Sequence, residues 1–119
     1  MRKPKILIVD DDEFIRQLIG TILSKEEYEL IEAHNGDSAL HEVEKNEPDL
    51  IIQDLNLPDI EGLELNRLLL AHHSEIPILA LTGVELKLGQ SGNYRGFVGF
   101  ILKPIDPDNL KRTVKRFLN

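Results

Sequence analysis

Hydrophobic residues in this chain come in two alternating rhythms. Ile6-Leu7-Ile8-Val9, opened by Lys5, is an unbroken apolar run, the mark of a strand covered on both faces. From Asp12 to Lys25 the apolar positions are Phe14, Ile15, Leu18, Ile19, Ile22 and Leu23, a double stripe at helical spacing. Glu29–Ala33 reads as a weaker strand whose polar content suits a sheet edge. His34-Asn35-Gly36 is a turn, and Asp37 is placed to cap a helix that carries Ala39, Leu40 and Val43 and stops before Pro48.

The alternation continues to the end of the chain. Leu50–Gln53 is another buried strand, ending at Asp54, and a loop with Pro58 and Gly62 leads into a helix bearing Leu63, Leu68, Leu69 and Leu70. Pro77–Leu81 and Val98–Leu102 are the fourth and fifth strands. Asp106-Pro107 opens a last helix with Leu110, Val114 and Phe117 on one face. Strands alternating with helices in this way predict an α/β fold built on an open, doubly wound, five-stranded parallel sheet. One stretch fits badly: between Thr82 and Lys103 lie Gly83, Gly89, Gly92, Gly96 and Gly99, five of the chain's 8 glycines, where a helix belongs. Each glycine costs a helix about 1 kcal/mol relative to alanine, so that helix is expected to be short, distorted or missing. Residues 84–96 are accordingly expected to be the least protected from hydrogen exchange.

Composition narrows the classes. At 119 residues the chain suits a single domain spanning 1–119. Its 14 basic and 21 acidic residues leave a net charge of −7, which argues against binding nucleic acid or an anionic membrane through bulk electrostatics. Cysteine is absent, which removes disulfides, thiolate metal sites and cysteine nucleophiles. The first apolar run ends in three aspartates and is far shorter than the ~20 residues of a membrane span, so a cytoplasmic location is expected.

The residues with chemistry gather at strand ends. Asp10 and Asp11 follow the first strand, Asp54 the third, Thr82 the fourth and Lys103 the fifth. In open α/β sheets ligands bind beyond the carboxyl ends of the strands, so these groups should share one rim. Three carboxylates at ~6 Å and an effective dielectric of ~20 repel by about 2–3 kcal/mol per pair, a cost that a cation would relieve. All-oxygen ligation suits Mg²⁺, which retains waters and accepts phosphate oxygens. A carboxylate beside such an ion is a candidate nucleophile toward phosphorus, with Lys103 and the Thr82 hydroxyl able to hold the oxygens of a transferred group. Asp12 reads as a helix cap or a first-turn acid favoured by the helix dipole, Asp59 and Glu61 as loop acids. His34, His41, His72 and His73 show no ligand spacing, the adjacent pair pointing about 100° apart on a helix.

These residues resemble the receiver domain of two-component response regulators. The resemblance rests on IVDDDEF (8–14), IIQDLNLPDIEG (51–62), ILALTG (78–83) and FILKPID (100–106), in the family's order, and covers essentially the whole chain. It implies a CheY-like, flavodoxin-like sheet of order 2-1-3-4-5. It implies a phosphorylation-controlled switch rather than an enzyme, with Asp54 accepting a phosphoryl group from a histidine kinase or phosphotransfer protein in a Mg²⁺-dependent reaction. Under it Asp11 is a direct metal ligand, Asp10 acts mainly through bound water, Asp54 ligates as well, and Asn56 contributes its backbone carbonyl. Thr82 matches the switch hydroxyl, Gly83 the small residue after it and Lys103 the lysine that pairs with the phosphoryl group. The bond to Pro104 is expected to be cis, and Phe100 stands where the family has its rotating aromatic. The departure is again the glycine-rich fourth-helix region, where Gly96-Phe97-Val98-Gly99-Phe100 is more apolar than the family pattern. Two rivals stand beside this reading: a pseudo-receiver that only binds partners, and an aspartyl-nucleophile phosphatase, which needs a second acid where this chain has Asn56. Neither GxGxxG nor GxxxxGK[ST] follows any strand.

Overall fold

The computed structural model describes residues 2–84, 94 and 96–118. In chain order the elements are β1 (Lys5–Val9), α1 (Glu13–Leu23), β2 (Glu29–Ala33), α2 (Gly36–Asn46), β3 (Leu50–Asp54), α3 (Gly62–His72), β4 (Ile78–Thr82), β5 (Gly99–Leu102) and α4 (Pro107–Leu118). All neighbouring strands run parallel, in the order β2-β1-β3-β4-β5, as expected. The polar strand β2 lies at an edge, while β3 and β4 are buried along their whole length.

The unbroken apolar runs are explained by two cores, one on each face of the sheet. Leu7 and Val9 point to the face covered by Ala39 and Val43 of α2 and by Leu65 and Leu69 of α3. Ile6 and Ile8 point to the other, where Ile19 and Leu23 of α1 meet Leu110 and Val114 of α4. Asp12 caps α1, its carboxylate accepting from Phe14 N–H at 2.9 Å. Among the described residues no helix is long and apolar enough to cross a membrane.

Three expectations need correcting. The cap of α2 is Asn35, not Asp37: Asn35 is extended, its side chain accepts from Ser38 N–H at 2.8 Å, and the Ser38 hydroxyl accepts from Asn35 N–H in return. Gly36, read as a turn residue, is instead the first residue of the helix, and a Cβ there would overlap Ile60 Cγ2. The inward face of α3 carries Gly62, Leu65, Asn66 and Leu69, whereas Leu63, Leu68 and Leu70 are half-buried. Leucines crowd this helix on all sides, so the spacing alone does not fix its phase. The expectation of a weakened helix and low exchange protection over 84–96 falls largely on residues 85–93 and 95, which lie outside the described residues.

Candidate functional site

The strand order reverses between β1 and β3, because the chain leaves β1 toward β2 and returns on its other side. Such a switch point opens a crevice at the carboxyl ends of the two strands. Asp10 follows β1 and Asp54 ends β3, so both carboxylates stand at that crevice, fully buried in the first case and 3% exposed in the second. Asp11 sits on the rim, exposed. One carboxylate oxygen from each of Asp10, Asp11 and Asp54 lies within 4.8 Å of the others. That is tighter than the ~6 Å spacing assumed from sequence, and raises the mutual repulsion to about 3.5 kcal/mol per pair at an effective dielectric of ~20.

Lys103 faces this cluster. Its Nζ is 3.2 Å from Asp10 Oδ2 and 3.6 Å from Asp54 Oδ1. The backbone of the lysine is tied to the end of β4, where Lys103 N–H donates to Thr82 O at 2.8 Å; the bond to Pro104 is cis. Thr82, at the end of β4, is buried, and its hydroxyl accepts from Val84 N–H at 3.2 Å. Asp54 Oδ1 also accepts from Asn56 N–H at 3.1 Å, and no hydrogen bond among the described residues ends on Oδ2. Burial pushes the Asp54 carboxyl above its usual range, with Asp10 and Asp11 adding to the effect while Asn56 N–H and Lys103 oppose it.

The donor set fits a hard divalent cation. Asp10 Oδ1 accepts from Asp12 N–H at 2.9 Å, but the buried Oδ2 has no hydrogen-bond partner among the described residues, its contact with Lys103 lacking the angle for one. Three carboxylates against one ammonium leave two negative charges in a site whose ligating atoms are all oxygen. Mg²⁺ matches that charge and that ligand type.

Phe100 does not join this cluster. It lies on edge strand β5, half-buried, packed on the core under α2 and α3. It also lines a concavity of about 620 Å³, which runs between β5 and α4 with Leu102, Arg112 and Arg116 and is separate from the acids. Three supporting residues escaped the sequence reading. Arg16, only 14% exposed, donates to Asp10 O at 2.6 Å and to Glu32 at 2.9 Å, which fixes the turn carrying Asp11. Gln53 is buried among apolar neighbours and donates to Gly62 O at 2.7 Å. Asp59, read only as a loop acid, bonds the first amides of α2. The one visible signal was the polarity of Gln53 within a buried strand; Arg16 and Asp59 stand at positions the pattern leaves polar.

Comparison with known proteins agrees with this architecture. The family model described as the response regulator receiver domain matches residues 6–115. Sporulation initiation phosphotransferase F of Bacillus subtilis is 34% identical over 119 residues, covering 99% of this chain and 96% of that protein. The alkaline phosphatase synthesis transcriptional regulatory protein PhoP of the same species is 35% identical over 115 residues, but there the chain spans only 48% of the relative's length. The structure of chemotaxis response regulator CheY4 of Vibrio cholerae superposes with a TM-score of 0.86 at 35% identity, over 98% of this chain and 99% of that one.

Proposed function

The chain belongs to the response regulator receiver family, phosphorylation-controlled switches of two-component systems, and from that premise we propose that Asp54 is its phosphoacceptor. The observation that carries this assignment is the asymmetry of the Asp54 carboxylate. Oδ1 is engaged by Asn56 N–H and faced by Lys103, which leaves Oδ2 to act as nucleophile.

In the proposed reaction an Asp54 oxygen attacks the phosphorus of a phosphohistidine on a histidine kinase or phosphotransfer protein. The P–N bond breaks, the imidazole departs with its electron pair and takes a proton from water, and an acyl phosphate forms. Asp11 and Asp54, with the Asn56 carbonyl, would hold Mg²⁺, and Asp10 would act through bound water. When bound, the ion supplies charge neutralisation for the phosphoryl oxygens. Lys103 balances charge on the same oxygens. The Thr82 hydroxyl then exchanges its bond with Val84 N–H for one with the phosphoryl group. Phe100, on the next strand, responds to the space that Thr82 vacates.

The domain thus works as a phosphoacceptor in the cytoplasm, passing its state to an effector or a fused output domain. A complete acidic cluster with its facing lysine supports this reading over a pseudo-receiver.

The test is phosphotransfer. Incubation with a phosphorylated histidine phosphotransfer protein, or with acetyl phosphate, and Mg²⁺ is expected to give an adduct of one phosphoryl group by intact mass. That adduct is expected to be lost in alkali, as an acyl phosphate is. Failure to form any adduct from either donor, with Mg²⁺ in excess, returns the chain to the pseudo-receiver reading.

A further inference from the structure

The β3–α3 loop, residues 55–61, carries Asn56 and is fastened at base and tip. At its base, Gln53 Nε2 donates to Gly62 O at 2.7 Å, and Asn56 pairs with Glu61 across an isolated antiparallel bridge. Gly62 closes against the start of the loop so tightly that a Cβ there would lie 2.6 Å from Leu55 O. At the tip, the Asp59 carboxylate reaches a different element. Oδ1 accepts from Gly36 N–H at 2.8 Å and Oδ2 from Asp37 N–H at 2.9 Å.

Those are the first two amides of α2, which have no partner within the helix. Asn35 caps the third, so the opening turn of α2 is satisfied jointly by its own residue and by a carboxylate from another loop. The positive end of the helix dipole strengthens the Asp59 contact. The bond from Gly36 N–H holds the Asp59 carboxyl below its usual range, so the clamp is charged at neutral pH. Beside it, Ile60 Cγ2 fills the space that a Cβ on Gly36 would take, and loop and helix interlock.

A short loop pinned at base and tip has little freedom, and its base carries the Asn56 amide that orients Asp54. We infer that Asp59 is a positioning residue: by docking this loop on α2 it fixes Asn56, and through Asn56 the orientation of Asp54 and the Mg²⁺ affinity of the acid cluster. The part concerning Mg²⁺ rests on the receiver reading above; the part concerning the Asn56–Asp54 bond does not.

The experiment compares Asp59→Ala with Asn35→Ala, which removes the other cap of the same turn without touching the loop. Two quantities are read in the folded proteins: hydrogen exchange of the Asn56 amide without metal, and the Mg²⁺ dissociation constant by calorimetry. Support for an outer ligand shell typically governs metal affinity by 10–100-fold, so Asp59→Ala is expected to weaken Mg²⁺ by about tenfold and speed Asn56 exchange by a similar factor. Asn35→Ala is expected to change both by less than about twofold, and Asp59→Asn, which keeps one acceptor oxygen, to fall between. Should Asp59→Ala fail to fold, Asp59→Asn against Asn35→Ala makes the same comparison. Equal shifts in the Asp59 and Asn35 variants would reduce Asp59 to a helix cap and overturn the inference, as would an unchanged Asn56 amide. A wild type that takes up no Mg²⁺, with Asn56 still released by Asp59→Ala, upholds the positioning and overturns the metal reading instead.

Discussion

Asp54→Asn is expected to form no phosphoryl adduct from any donor, while folding as the wild type does. The amide lacks the anionic oxygen that attacks phosphorus, so the reaction stops rather than slows. The fold survives because an amide oxygen at Oδ1 still accepts the Asn56 N–H. The substitution also removes a charge from the cluster, with a sign that is fixed in advance. The Asp54 carboxyl is pushed above its usual range by burial, so the folded state holds its proton more tightly than the unfolded chain does. Metal-free stability therefore falls as pH rises from the ordinary carboxyl value of 3.8 through the raised folded value. Asp54→Asn lacks that decline and is the more stable protein at neutral pH without Mg²⁺. Intact mass after acetyl phosphate treatment checks the first expectation, and urea titrations across acidic and neutral pH check the second. An alkali-labile adduct on Asp54→Asn would move the phosphoacceptor to Asp10 or Asp11.

Mg²⁺ is expected to raise the melting temperature of the wild type and to leave Asp11→Ala unmoved. A ligand bound only by the folded state stabilises it by RT ln(1 + [L]/Kd), about 1.4 kcal/mol at tenfold its Kd. For a domain of this size that is a rise of roughly 5 °C. Asp11 is the informative position because it is exposed, so its replacement removes a ligand without opening the core. With one repulsive partner gone, the metal-free variant is expected to melt no lower than the wild type. Thermal melts with and without millimolar Mg²⁺ decide it, and superimposable curves for the wild type would exclude the acid cluster as a metal site.

The architecture was legible because parallel strands buried on both faces announce themselves. Ile6–Val9 and Leu50–Ile52 are unbroken apolar runs, the first followed at once by Asp10 and the second, after Gln53, by Asp54. Placement at strand ends then brought Asp10, Asp11, Asp54 and Lys103 together on paper, and they do share one crevice. What stayed hidden depends on contacts that have no period. Asp59 meets α2 across 23 residues of sequence, and no spacing rule links a loop acid to a helix it does not precede. The cap of α2 was misread because Asn35 and Asp37 are both good capping residues, and only the extended backbone at Asn35 chooses between them. In α3 leucine on every side erased the contrast between faces, so Leu65 was overlooked although it is fully buried.

The origin of the charges along the chain has a consequence for how the protein acquires its shape. All three carboxylates belong to the first 54 residues, and β1 can pair with β3 as soon as these exist. Their counter-charge, Lys103, arrives only with the end of β5. A folding chain in which β1, β2 and β3 have paired before β5 docks therefore passes through a state with three crowded carboxylates and no lysine among them. If that pairing is part of the rate-limiting step, Mg²⁺ accelerates folding and leaves unfolding little changed; stopped-flow rates showing the reverse would place the closing of β5 before the barrier. In a chain that folds in that order, the lysine that balances charge in the finished molecule is also a late electrostatic latch, drawing the last strand onto the sheet.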